Sequence, residues 1–188
     1  MSGISCIGSC LHQLHRASSR LEPGLHGQRV HRGEKGGEVT GPSPTDRGRL
    51  GTKRHIVTDR CGIPLTVRLS GANVHDSRMI EPLLDAIPRI RGKRGRPRHR
   101  PGRLHADKGY GYPRCRRACT IHGIKHRIAR KGVESSAHLG MHRWVVERTF
   151  SWLSKFRRLA VRYERRADIH LAFTISACAI ICFRALTT

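Results

Sequence analysis

The sequence predicts an α/β fold built on one mixed sheet, and three observations lead to it. Lys53 to Thr58 and Pro64 to Ser70 are β-type runs separated by Asp59-Arg60-Cys61-Gly62-Ile63, a hairpin with glycine in its turn. From there to the C-terminus, helical and strand-like stretches alternate, which is the order of a sheet flanked by helices. At 188 residues the chain is long enough for one well-filled domain and short for two.

Taken in order, residues 1–32 show neither helical nor alternating periodicity and contain a single acid, Glu22. They are expected to stand apart as a disordered segment, leaving 33–188 as the folded domain. Residues 33–50 form a Gly/Pro-rich loop whose glycines and prolines deny it a regular element. The hairpin follows. Asn73-Val74-His75-Asp76 then supplies a cap for a helix over Ser77 to Ile87, where Met79, Ile80, Leu83, Leu84 and Ile87 share one face. Pro88 ends it. Arg89 to Arg103 is dense in Lys, Arg and His with no apolar face, and reads as an exposed basic loop. Leu104 to Asp107 is a short strand, Arg114 to His122 a short helix and Lys125 to Ala129 another strand. A helix from about Met141 to Phe156 and an apolar C-terminal helix complete the order.

That last run, Ile169 to Leu186, is interrupted by His170, Thr174, Ser176 and Arg184. A membrane span needs about 20 mostly apolar residues, so a buried core helix is expected and no membrane partner. The seven cysteines include the i, i+4 pairs Cys6/Cys10, Cys115/Cys119 and Cys178/Cys182, and no zinc-ligand spacing closes. Reduced thiols in a cytoplasmic protein are the expectation.

Charge narrows the partner. Thirty-seven Lys and Arg against 13 acids give a net charge of +24, a field that draws polyanions. In so basic a chain two isolated carboxylates stand out. Asp107 lies where the apolar lead Leu104 to Ala106 opens into Lys108-Gly109-Tyr110-Gly111, a turn whose glycines let a phosphate or metal approach. A turn-initiating aspartate has the same local pattern. Glu147 lies in HRWVVERTFSWLSKFRRL, where Arg143, Glu147 and Lys155 fall near one helical stripe; a solvated Arg143–Glu147 pair worth about 0.3–0.5 kcal/mol is the alternative there. Together the strand-end Asp and the helix Glu, 40 residues apart, match the hard oxygen donors that two-metal phosphoryl transfer uses.

The segments GPSPTDRGRLGTKRHIVTD, ANVHD, LHADKGY and HRWVVERTFSWL resemble, in that order, the bacterial insertion-sequence transposases of the IS5 group, DDE enzymes with an RNase H-like core. The resemblance covers residues 33–186. It implies an RNase H-like mixed sheet and, for a full enzyme, cleavage of DNA at the element ends and strand transfer into a target with two Mg²⁺ ions. Asp107 and Glu147 would be the second and third members of the catalytic triad and metal ligands. Lys108, Arg143, Arg148 and Lys155 would contact phosphates of double-stranded DNA, and a homodimer is compatible. The family's tyrosine-arginine-glutamate-lysine signature is partly kept: Gly140 takes the tyrosine's place, Arg143 sits four before Glu147, and Lys155 is one residue late.

The family's first aspartate is absent. It belongs on an opening strand shortly before a basic-Gly-Gly stretch like Lys35-Gly36-Gly37, yet no Asp precedes Asp46. Asp46, Asp59 and Asp76 are poor substitutes: one is in a loop, one in the hairpin turn and one at a helix start. The opening strand is therefore expected to be missing or degenerate. One codon choice for Leu21 to Gln28, read one base later, spells Trp-Ser-Arg-Ala-Cys-Met-Asp, which puts the acid out of frame across Gly27 and Gln28. On that reading the chain is the downstream frame of a frameshifted transposase or a decayed copy, able to bind DNA and impaired in cutting it. The competing expectations are a non-catalytic basic nucleic-acid-binding protein and, with less to support it, a ribosomal-type RNA binder.

Overall fold

The computed structural model describes residues 24–32, 36–44, 46–90, 100–128 and 136–187, with backbone alone for 24–32 and 136–143. Its strands are β1 (Gly24–Arg32), β2 (Gly41–Pro42), β3 (Leu50–Thr58), β4 (Pro64–Gly71), β5 (Arg103–Ala106) and β6 (Lys125–Ile128). Its helices are α1 (Ile80–Asp85), α2 (Pro113–Ile121), α3 (Ser136–Ser154), α4 (Arg157–Ala160) and α5 (Ala167–Thr187). The basic loop expected over 89–103 lies largely outside the described residues.

The sheet is six-stranded and mixed, with order β2-β3-β1-β5-β6 and β4 paired to β3. β3 and β4 form the expected antiparallel hairpin, Ile56 opposite Val67. Its turn is fixed by Asp59, whose Oδ1 accepts the backbone N–H groups of Cys61 and Ile63, both at 2.8 Å, and by Gly62 at φ +81°. Only glycine takes that φ without cost.

An opening strand is present over Gly24–Arg32, where disorder or a missing strand was expected; residues 1–23 of the segment expected to be disordered lie outside the described residues. β1 pairs antiparallel with β3 (Leu25 opposite Val57, Arg29 opposite Arg54) and parallel with β5 (Gly24 opposite His105, Leu25 opposite Ala106). It carries no acid, and the register against β3 shifts between His26 and Arg29, so it is degenerate in the sense that matters for chemistry. Pairing on both sides supplies the backbone hydrogen bonds that its own pattern of side chains does not advertise.

Neighbouring residues of β3 point to opposite faces and seed two cores. Val57 packs with Ile80, Leu83, Leu84, Leu104, Cys115 and Ile124 beneath α1 and α2. Ile56 packs with Val67, Val146, Phe150, Leu153 and Leu159 beneath α3 and α4. α1 is shorter than predicted because the chain first makes a 3₁₀ turn over Asp76–Arg78, capped by His75 Nδ1 accepting Ser77 N–H at 3.2 Å.

The C-terminal helix also differs from expectation. α5 buries only one stripe, His170, Thr174, Ala177, Cys178 and Ile181, against β4, α3 and α4. Ile169, Phe173, Ile175, Ile180 and Phe183 are exposed on it. By length and composition it is the one helix among the described residues that would suffice to cross a membrane.

Arg162, 1% exposed, joins distant segments. Its guanidinium donates to the carbonyls of Glu38 (2.8 Å), Glu164 (2.9 Å) and Arg165 (3.1 Å) and to the hydroxyls of Thr40 (3.1 Å) and Thr52. Gly37 explains one half of the Gly36-Gly37 pair: at φ +135° a Cβ there would lie 2.3 Å from the Arg165 carbonyl oxygen.

Candidate active site

Asp107 follows β5 directly. Its backbone is extended (φ −68°, ψ 167°) and its Oδ1 accepts the Lys108 N–H at 2.7 Å, capping a 3₁₀ turn over Lys108–Tyr110. It therefore does initiate a turn, and it also stands at a chosen place in the sheet. Leu25 is paired with Ala106 in parallel, the last pair of that register, and Asp107 is the next residue along the chain. Asp107 and Lys108 are both half-buried.

The turn is anchored from below by a buried polar network that sequence reasoning missed. The Tyr110 hydroxyl pairs with His55 Nδ1 at 3.3 Å, and His55 Nε2 pairs with Ser70 Oγ at 2.7 Å. Burial, then the nearby Lys53 ammonium, pushes His55 down to about 4, so it is neutral at physiological pH. Burial pushes the Tyr110 hydroxyl well above its usual range, with the carboxylates of Asp76 and Asp107 adding to the effect. Asp76 is itself part of this floor. It forms a 3.1 Å ion pair with Lys53 in which each side chain is 8% exposed, and Lys53 also donates to the Val74 carbonyl at 2.9 Å. The two 3₁₀ turns touch, and a Cβ on Gly109 would lie 3.3 Å from Asp76 Oδ2. Asp76 is thus placed beside the Asp107 turn, committed to a cation. The signal in the sequence was a lysine on β3 with an acid at the following helix start, a separation of 23 residues that no periodicity marks.

Glu147 is exposed on α3, between the buried Val146 and Thr149. The helix is oriented by its neighbours in sequence. Thr149 Oγ1 donates to the Gly62 carbonyl at 2.6 Å, and Val146, Phe150 and Leu153 enter the core. Arg148 lies between the rings of Trp144 (4.5 Å) and Trp152 (4.9 Å) and donates to the Cys61 carbonyl, so it ties α3 to the β3–β4 turn. Lys155 is exposed just past the end of α3, while the side chain of Arg143 lies outside the described residues. α3 packs on β1 and β3, and β5 pairs with β1, so the elements carrying Glu147 and Asp107 both border the opening strand.

The donors that a divalent ion could use are few among the described residues. Asp107 already gives one oxygen to the Lys108 amide, and among the described residues no three His, Cys, Asp or Glu side chains gather closely enough to hold a metal. Asp107 and Glu147 are of the oxygen-donor type that divalent ions take, and divalent metal is general in the family that the sequence resembles.

A mixed sheet with an antiparallel opening, flanked by helices, is an RNase H-like fold. Residues 25–182 match the family model described as the transposase DDE domain, and the chain belongs to that family. It is 48% identical over 191 residues to a protein of Burkholderia cepacia assigned as the transposase of insertion sequence element IS402, covering 99% of this chain and 90% of that one. It is 28% identical over 126 residues to the transposase for insertion sequence element IS1106 of Neisseria meningitidis serogroup B, covering 61% of this chain and 40% of that one. In three dimensions it resembles a chain in the cryoEM structure of the simian T-cell lymphotropic virus intasome in complex with PP2A regulatory subunit B56 gamma. The TM-score is 0.55 at 15% identity, over 83% of this chain and 47% of that chain, a likeness of fold alone. The chain is therefore an insertion-sequence transposase by family, and an enzyme by family.

Proposed function

We propose that this chain binds the double-stranded ends of its insertion element in the bacterial cytoplasm, at the nucleoid, and that its DNA cleavage and strand transfer are impaired. One observation carries the reading. β1 runs beside Asp107, where the family's first acid belongs, and GLHGQRVHR contains no acid. Asp107 and Glu147 remain the residues to which chemistry is assigned. The net charge of +24 supplies affinity for a phosphate backbone whatever becomes of catalysis. Lys108 and Lys155 are the phosphate contacts this reading retains, with Arg143. Arg148 is retained less strongly, because two indole rings and a carbonyl already engage it.

A non-catalytic nucleic-acid-binding protein is the second reading, favoured by the net charge of +24 and by a β1 without an acid. One experiment separates the two. Binding to element-end DNA and nicking in Mg²⁺ or Mn²⁺ are measured for the natural chain, for His26→Asp and for His26→Asp with Asp107→Ala. All three should bind. Nicking should be weak in the first, rise in the second and vanish in the third. A folded His26→Asp chain, and likewise a Gly27→Asp one, that binds DNA yet never nicks would leave the binding protein as the answer. Efficient nicking by the natural chain would overturn the claim of impairment.

A further inference from the structure

β4 is an edge strand. It pairs with β3 on one side and, among the described residues, with no strand on the other. A cleft of about 260 Å³ lies there, lined by Pro64 through Arg68, five residues in a row. Side chains of a strand alternate between the two faces of a sheet, so consecutive residues can line one cavity only where it runs along the strand's edge. The walls agree. Ala86, just past the end of α1, closes the cleft from one layer of helices, and Ile175 and Cys178 of α5 close it from the other. Val67 and Cys178 are buried at its base, while Arg68 and Ile175 are exposed at its mouth, Ile175 at 52%. None of these residues serves the site described above.

We infer that this edge docks an extended acidic peptide of another protein, which adds a seventh strand beside β4, seats an apolar side chain against Ile175 and sets a carboxylate against Arg68. Four features select that occupant. The outer edge of a strand offers alternating N–H and C=O groups at the repeat of an extended chain, a pattern that a polypeptide backbone matches and a nucleic acid does not. The volume falls below the roughly 300–1,000 Å³ of sites that enclose a small molecule, and suits single side chains of a peptide. Arg68 is the one charged residue among those that line the cleft, in a chain carrying +24, so the complementary charge is negative. Two copies of so basic a chain repel each other, and residues 91–99, RGKRGRPRH, which follow α1 in sequence, contain no acid to meet Arg68.

The test contains no DNA, so its failure is distinct from any failure of the function proposed above. A phage-displayed library of short random peptides is selected on the full chain, freed of nucleic acid. The recovered sequences should alternate apolar and acidic residues, and a synthetic peptide of that sequence should bind in the micromolar range by fluorescence anisotropy. Arg68→Glu and Ile175→Glu should each weaken it by about tenfold or more. Melting of the fold should stay as in the parent because both positions are exposed. Strand addition also has a signature that attraction between charges lacks. Methylating the peptide's backbone nitrogens at every second residue should abolish binding in one phase of the alternation and spare it in the other, because only alternate N–H groups face β4. A library that yields no acidic binder overturns the inference. So does a binder indifferent to both glutamates, or one whose two methylated forms behave alike.

Discussion

Leu25 and Ala106 are the last partners in the parallel register of β1 and β5, and His26 and Asp107 are the residues that follow them. On the function proposed above, this is the end of β1 at which a further acid would stand. Converting His26 to Asp should create a third carboxylate there. Calorimetric titration with Mn²⁺ should then show binding at least about tenfold tighter than in the natural chain, a difference of about 1.4 kcal/mol. Equal affinities would mean that the elements bordering β1 do not bring their carboxylates within reach of it.

The Lys53–Asp76 pair should be costly to break and cheap to replace. Each side chain is 8% exposed, so breaking the pair by Lys53→Met or by Asp76→Asn should lower stability by about 3–5 kcal/mol in urea denaturation. Lys53→Met combined with Asp76→Leu should cost less than either alone.

Acid should destabilise the fold through His55 before its carboxylates protonate. The folded value is about 4 against 6.5 for the free side chain, so the unfolded chain binds the extra proton between those limits. Stability is present above pH 6.5 and is lost as pH falls toward 4, by at most about 3 kcal/mol. His170, lowered by burial and then by Arg54, acts in the same sense, whereas Asp59, raised by burial, opposes them at the acid end. A urea midpoint measured from pH 7 to 4.5 should fall in the natural chain and fall less in His55→Gln.

Arg162→Lys should destabilise although charge is kept. A single ammonium cannot serve the Glu38, Glu164 and Arg165 carbonyls and two hydroxyls at once, and each buried acceptor left unmade costs about 1–3 kcal/mol. Thermal melting should show it, with Arg162→Met lower still.

Gly37→Ala should lower the melting temperature well beyond the ~1 kcal/mol of an ordinary glycine substitution. The φ of +135° and the 2.3 Å approach to the Arg165 carbonyl both forbid a methyl group. Gly48→Ala, with open space around its Cβ, keeps only the conformational part and is the control.

How far the sequence foretold all this depends on what each element shows locally. The hairpin was legible because Asp59 and Gly62 fix its turn chemically, and the strand at Leu104 because an apolar run meets a capping Asp. β1 was not, since GLHGQRVHR neither alternates nor concentrates apolar residues; its extended form comes from partners on both flanks. Lys53, Arg54 and Arg162 look like surface cations and are 7%, 1% and 1% exposed. Their acceptors, among them Asp76, the Leu159 carbonyl and the 38–40 turn, are far along the chain, and no local pattern records them. α5 looked like a core helix because composition says how apolar a helix is and not how many of its sides have neighbours. For the proposed site, Asp107 and Glu147 were singled out by their isolation among cations, while the floor of His55, Tyr110, Lys53 and Asp76 is visible only in three dimensions.

The knot of hydrogen bonds on Arg162 also sets an order in time. Its guanidinium closes contacts to residues up to 124 positions earlier, and loops of that size are slow to close. During synthesis the 36–40 turn and β3 emerge long before the residue that seals them together. Until the last sixth of the polypeptide leaves the ribosome, that margin of the sheet stays ajar, and a nascent chain stalled there would present unpaired backbone to whatever surrounds it.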